Sequence, residues 1–210
     1  MLDKILSLDT DLFRLINNSR SNFLDYFFSG ISSHLCIGVI VAIITIYVMQ
    51  KHSWRYFYIY ICLIGLCFLL SDRSSVMFFK DVFHRLRPSH ALTDVFTVKF
   101  SHFHLVYDNK GGLYGFVSSH CANVFSIITL MSIIMLKKTK EKIEKKKNIV
   151  FVIVIILWGV LVGYSRIYCG YHYPGDVICG SLLGILIGFL LYLLYKKTIQ
   201  LLDKKKEKKL

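Results

Sequence analysis

The chain has 210 residues, 55% of them hydrophobic and only 19% charged, with a formal net charge of +13. That length suits one domain, and so apolar a composition excludes both a disordered chain and an ordinary soluble globule. The positive charge is not a nucleic-acid footprint, because ten of the thirteen excess charges sit in two lysine runs without interleaved aromatics or a binding fold.

The first element covers residues 1–22. Leu2, Ile5, Leu8, Leu12 and Ile16 recur at helical spacing, which predicts an amphipathic helix. Such a helix either lies on the outer membrane surface or packs against a bundle as a structural element. Its acids interrupt the apolar core that a cleavable signal peptide needs. Five runs then reach the roughly 20 apolar residues of a membrane-crossing helix: 31–50, 54–72, 118–136, 148–166 and 175–195. The predicted fold is therefore all-α, a polytopic membrane bundle of about five or six helices counting the N-terminal one, in one domain over 1–210. Gly180, Gly184 and Gly188 form a small-residue stripe on the last span that lets a neighbouring helix approach closely.

The lysine runs set an expected topology. Residues 137–147 and 196–210 each carry seven Lys, and 198–210 reads as a basic tail. Short basic loops beside spans mark the cytoplasmic side, and the loop 50–55 falls with them if the spans alternate. Residues 1–30, 73–117 and 167–174 then face outward. The six cysteines show no metal-ligand spacing, and most fall within spans and read as packing residues, with a Cys121–Cys169 disulfide as the alternative.

Ionisable residues beside membrane spans are functional candidates. Three clusters share the outward side. In KDVFHRLRP (80–88), Lys80 and Arg87 are seven residues apart, two helical turns, with Pro88 ending the helix. They form either a two-cation anion site or a basic helix end reaching for headgroups. In YGFVSSHCANVF (114–125), Ser118 or Ser119 caps a helix with His120 in its first turn. This is either an anion site at free backbone N–H groups or a plain cap with an incidental histidine. In SRIYCGYHYPGDV (165–177), His172 and Asp176 are four apart, so a helical turn sets them side by side. The carboxylate can then accept the imidazole Nδ1 proton and leave Nε2 free to act. Alternatively Arg166 and Asp176 make an interfacial ion pair and His172 is a belt residue.

Lys80-x6-Arg87-Pro88, Ser118-x-His120 and Ser165-Arg166-x5-His172-x3-Asp176 together resemble the three-part signature of the type 2 phosphatidic acid phosphatases, membrane enzymes that remove phosphate from lipids. The second part departs from the family's Pro-Ser-Gly-His, reading Val117-Ser118-Ser119-His120. The resemblance implies that Lys80, Arg87, Ser118, Ser119 and Arg166 hold the phosphate. It also implies that His172, oriented by Asp176, attacks phosphorus to form a phosphohistidine. His120 would donate a proton to the leaving oxygen and then activate water.

No metal or other cofactor is expected, since the chain has no H-E-x-x-H pattern or acidic cluster. The expected partners are the bilayer and a lipid phosphate, with no nucleic acid. Undecaprenyl diphosphate and lipid A stand ahead of phosphatidylglycerophosphate and phosphatidic acid, in a bacterial inner membrane. The segment 89–117, with His90, His102 and His104, is expected to shape the entrance, and Gly111–Gly112 to turn the chain back toward His120. Three alternatives remain: a phosphotransferase using the same site, a non-catalytic lipid-phosphate-binding protein, and a transporter. The last fits poorly with polar residues gathered at one membrane face.

Overall fold

Apolar runs longer than a bilayer core have one open-chain solution in lipid, the helix, whose backbone groups satisfy one another. The structure, a computed structural model, describes residues 2–52, 56–138 and 141–207. Met1, residues 53–55 of the first basic loop, 139–140 of the first lysine run and the last three residues of the tail lie outside the described residues.

In chain order, α1 (Leu2–Asn17) and α2 (Asn22–Ile31) precede α3 (His34–His52) and α4 (Phe57–Ser75). A π-helical turn (Val76–Lys80) and α5 (Asp81–Phe83) prolong α4. The short α6 (Pro88–Ala91) and the strands β1 (Val98–Ser101) and β2 (His104–Tyr107) follow. The chain ends in α7 (Ser119–Lys138), α8 (Lys142–Tyr168) and α9 (Pro174–Glu207). Among the described residues, five helices are long and apolar enough to cross a membrane: α3, α4 with its extension, α7, α8 and α9.

Helix α7 is the axis of the bundle. Its spanning window is 61% buried, whereas the other four are 22–44% buried. It packs against α3, α4, α8 and α9 through a core that includes Ile44, Leu63, Ile127, Met131, Trp158 and Leu191. The closest seam is α7 on α9. A Cβ at Gly180, Gly184 or Gly188 would run into the backbone carbonyls of Ser118, Ala122 and Ser126 in turn, so the stripe lets two backbones touch. The outward faces of α8 and α9 expose Ile153, Leu157, Ile178, Leu182 and Leu186, the surface that lipid covers.

One end of the bundle carries a polar cap. Asn17, fully buried at the end of α1, donates to the carbonyls of Phe96 (2.9 Å) and Tyr168 (2.8 Å) and accepts from the N–H of Phe96 (3.0 Å). Asp25 of α2 accepts from Arg20 (2.7 Å), Tyr168 (2.7 Å) and Tyr107 (3.2 Å). These two nodes tie α1, α2 and the hairpin onto the end of α8.

The expected helical membrane bundle is observed. It carries one short addition, in which β1 and β2 pair antiparallel, Val98 opposite Tyr107 and Ser101 opposite His104. The tight turn at His102 and Phe103 places both at positive φ (48° and 65°), the hairpin geometry usually given by Asn-Gly, so the sequence carried no turn signal there. Residues 1–22 hold one helix and the start of a second, because Ser21 caps α2 by accepting from the N–H of Leu24 (3.2 Å). The basic tail is not separate either. With no Gly or Pro to stop it, α9 runs on through lysines and leucines to Glu207. All six cysteines are free.

Candidate active site

Alternating spans bring the end of α4, the start of α7, the end of α8 and the start of α9 to the same end of the bundle. The first two motifs fall at one terminus each, and the third joins the remaining two. The first motif does so in an unexpected way. Lys80 ends the π-helical turn, His84 adopts a left-handed conformation (φ 48°) that closes α5, and residues 85–87 run extended. They pair with 113–115: the Arg87 N–H donates to the Leu113 carbonyl (3.0 Å), and the Gly115 N–H to that of Arg85 (2.8 Å). Lys80 and Arg87 therefore share no helix face, and Pro88 opens α6 instead of ending a helix. In an extended segment alternate side chains point the same way, so Arg85 and Arg87 project together and Leu86 away.

The second motif starts α7. Ser118 is fully buried, and its N–H donates to the Asp176 carbonyl (2.9 Å), welding the second motif to the third. The Ser118 hydroxyl has no hydrogen-bond partner. The Ser119 hydroxyl accepts from Lys80 Nζ (2.8 Å) and shares a hydrogen bond with Ser75 (2.6 Å), so the residue that departs from the family pattern anchors the first motif's lysine. His120 follows, its ring 5.2 Å from that of His34.

The third motif is the turn between α8 and α9. The N–H groups of Tyr171 and His172 both donate to the Arg166 carbonyl (3.1 and 3.2 Å). Gly170 sits at φ 82° with its backbone against the Phe96 carbonyl, a place no side chain fits. His172 is 1% exposed and Asp176 fully buried. The expected hydrogen bond between them is not formed: His172 Nδ1 lies 3.6 Å from Asp176 Oδ2 and has no partner. The carboxylate instead accepts from the Tyr173 N–H (3.0 Å) and from Arg85 Nη1 (2.8 Å).

A cavity of about 160 Å³ opens onto this cluster, lined by Arg87, His120, Arg166 and Tyr171 and walled by His34, Lys99, Phe100 and Asn109. His172 and Lys80 are not part of that lining. Among the described residues, the two arginines carry no carboxylate. Arg87 donates there to the Tyr114 carbonyl (3.2 Å), and Arg166 Nε is buried without a partner. The Tyr171 ring lies 4.4 Å from the Arg166 guanidinium and 6.0 Å from that of Arg87, an aromatic face serving two like charges. Burial, then the neighbouring Arg166, pulls Arg87 below the ordinary arginine value. Burial, then Arg87, Arg166 and Lys80, holds the His172 imidazole well below its ordinary value, so it is neutral at pH 7. Uncompensated cations around a neutral imidazole form a site for a multiply charged oxyanion next to a nucleophile. Among the described residues, no group of three or more His, Cys, Asp or Glu could hold a metal ion.

All eight residues singled out from sequence thus gather at one end of the bundle. Three further residues were missed. Arg85 and Asp9 lie at no family motif position, and only the extended path of 85–87 and the docking of α1 bring them to Asp176. Tyr171 adjoins His172 in sequence, yet nothing in the spacing shows it stacking on Arg166.

The sequence model of the PAP2 superfamily matches residues 66–200. The lipid A 4′-phosphatase of Bacteroides thetaiotaomicron is 27% identical over 197 residues, 94% of this chain and 81% of that protein. The lipid A 4′-phosphatase of Porphyromonas gingivalis is 31% identical over 196 residues, 92% of this chain and 75% of that protein. Among solved structures, a transmembrane PAP2-type phosphatidylglycerolphosphate phosphatase from Bacillus subtilis superposes with a TM-score of 0.67. It covers 92% of this chain and 87% of its own, and at 22% identity it speaks for the fold alone. The three motifs converge at one end of a helix bundle of this kind, and the superfamily's sequence model covers well over half the chain. The chain belongs to the PAP2 superfamily, the type 2 phosphatidic acid phosphatases.

Proposed function

We propose that this protein is an integral-membrane phosphatase that hydrolyses the phosphate of an envelope lipid through a phosphohistidine intermediate. The observation that carries this reading is the gathering of Arg87 and Arg166 on one cavity, with Lys80 anchored on Ser119, beside the buried His172. Such a cluster neutralises the non-bridging oxygens that a phosphoryl group presents in its transition state. His172 attacks phosphorus as the bond to the leaving oxygen breaks, and His120, protonated once the bound phosphate's negative charge offsets the arginines, gives that oxygen its proton. His120 then takes a proton from water, which attacks the phosphohistidine and releases inorganic phosphate and free His172. Asp176 stabilises the positive charge that His172 gains on attack.

Lipid A-type phosphomonoesters are the favoured substrates over polyprenyl diphosphates. Two relatives matched over nine-tenths of the chain bear that name. The mouth of the cavity also offers Lys99, His34 and Asn109 to a polar headgroup beyond the phosphate. The lysine-rich ends of the spans favour a site on the outer face of a bacterial inner membrane. Helix α1 then lies along that surface, with Ile5, Leu8 and Leu15 exposed to it.

The test is phosphate release from a panel of lipid phosphates and diphosphates in detergent, with wild type beside His172→Ala. Wild type should release phosphate without an added acceptor, fastest from lipid A, and the variant should lose about 10⁴-fold or more. Vanadate should inhibit. Equal activity of wild type and variant on every active substrate would sink the assignment. Turnover only with a second lipid present would make the enzyme a phosphotransferase.

A further inference from the structure

Helix α1 lies ahead of residues 66–200, the region that the superfamily's sequence model matches. Its inner face nevertheless reaches the turn that carries His172. Asp9 Oδ1 accepts the Gly175 N–H (2.7 Å) in the first turn of α9. Asp9 Oδ2 accepts Arg85 Nη2 (2.7 Å), and the other fork of the same guanidinium, Nη1, donates to Asp176 Oδ1 (2.8 Å). The Arg85 guanidinium also lies 4.1 Å from the Tyr173 ring, and Phe13 of α1 meets that ring edge-on at 5.5 Å. Two residues of α1 and one from within the first motif's stretch therefore clamp residues 173–176 from one side.

The chemistry makes such a clamp consequential. Asp176 is fully buried, and a buried carboxylate needs a partner to keep its charge. Arg85 and the Tyr173 N–H are the groups that hold it, since His172 Nδ1 stands 3.6 Å off. A planar fork fixed at one end by Asp9 sets the plane and the position of the Asp176 carboxylate at the other. That in turn decides whether Oδ2 meets Nδ1 as the imidazole becomes positive, and a misplacement of about 1 Å at such a pair can cost 10²-fold.

The geometry points to Asp9 and Arg85 as positioning residues for the nucleophile. Through them α1, outside the superfamily's matched region, is a working part of the active site. This rests on the phosphatase reading for its kinetic test, but a second readout stands apart from activity.

The full-length protein in detergent micelles is compared with Asp9→Asn, Arg85→Lys and Arg85→Gln. Asp11→Asn, an exposed acid on the same helix, serves as control. Asp9→Asn should lower kcat about tenfold or more, with KM and vanadate inhibition within about twofold of wild type. Arg85→Gln should fall by about 10²-fold, and Arg85→Lys, which keeps the charge but not the fork, should recover part of it. The control should match wild type. In parallel, the His172 ring signal in ¹⁵N-histidine spectra, assigned by its loss in His172→Ala, should shift in Asp9→Asn and stay put in Asp11→Asn. A folded Asp9→Asn with wild-type kcat and an unmoved His172 signal overturns the proposal. So does a loss of kcat matched by an equal loss of vanadate-binding sites, which marks mere unfolding. If wild type releases no phosphate, the phosphatase reading has failed and the His172 signal alone decides. If Arg85→Gln does not fold, Asp9→Asn and Arg85→Lys carry the test.

Discussion

Arg85 and Arg87 are two residues apart on one extended segment and project the same way, yet they do opposite work. Arg85 is saturated: two carboxylates and an aromatic ring surround it. Burial alone would weaken its charge, but Asp176 and Asp9 outweigh burial and hold it above the ordinary arginine value. Arg87, with Arg166 beside it, has no carboxylate and opens onto a cavity. Burying a cation without an anion is costly, so a bundle that packs Arg87, Arg166 and Lys80 around one histidine is built to receive its anion from outside. A cation paired within the protein holds architecture, and one left unpaired is the candidate for binding substrate.

The largest expected effect tests the unpaired side. Arg166→Ala should lower kcat/KM by about 10²–10³-fold and weaken vanadate inhibition by a similar factor. Thermal unfolding in detergent should hold steady or improve, because a buried guanidinium with no carboxylate among the described residues and an unpartnered Nε has been removed, at the loss of its contact with the Tyr171 ring. An Arg166→Ala protein that unfolds early while keeping its vanadate sensitivity would break the contrast, making Arg166 a structural cation like Arg85.

A smaller effect appears in the pH profile. His172 must be unprotonated to attack, and its folded pKa is held below the ordinary 6.5 by burial, then Arg87, Arg166 and Lys80. As pH falls through 6.5 the folded imidazole stays neutral, so the acid limb of kcat/KM for the free enzyme should lie below that value. Stability follows the same sign. The unfolded chain takes up a proton near 6.5 that the folded chain declines, so stability present above 6.5 is lost as pH falls toward the folded value. Arg87→Ala removes one of the three cations and should move the acid limb upward toward 6.5. An unmoved limb would separate His172 from the cluster.

The smallest effect sharpens the comparison at Lys80, the one cation of the cluster with a side-chain anchor. Ser119→Gly restores the residue usual in the family and deletes the 2.8 Å bond to Lys80. It should raise KM by up to about tenfold with little change in kcat, the scale of one hydrogen bond to a charged group. A gain in activity would mean that glycine's backbone freedom outweighs the lysine's anchor.

Much of the candidate site could be read from the order of residues because its residues fall in local motifs at helix ends. His172 and Asp176 are four apart, Ser118 and His120 open a helix, and Arg166 closes one. The five spans were equally legible, since lipid demands long apolar helices whatever they pack against. The glycine stripe on α9 also announced its role, because a close backbone approach needs small residues wherever it occurs.

The remainder depended on contacts between residues far apart in the chain. Lys80 and Arg87 suggested one helix face by their spacing, yet the backbone pairing of 85–87 with 113–115 pulls that stretch into an extended form. No local propensity signals such a pairing. The hairpin turns on His102 and Phe103, poor turn formers, and is held by Asp25 and Asn17 at its base. Whether α1 floats on the membrane or packs on the bundle was undecidable from periodicity, because an amphipathic stripe fits either surface. Phe13 and Asp9 decide for packing on the inner face while Ile5, Leu8 and Leu15 remain outward. Sequence alone determined which groups are the candidates for the chemistry and that they sit at membrane-helix ends. Tertiary structure decided which cations are neutralised and which stay open to substrate, since pairing is a property of three-dimensional neighbours and not of spacing along the chain.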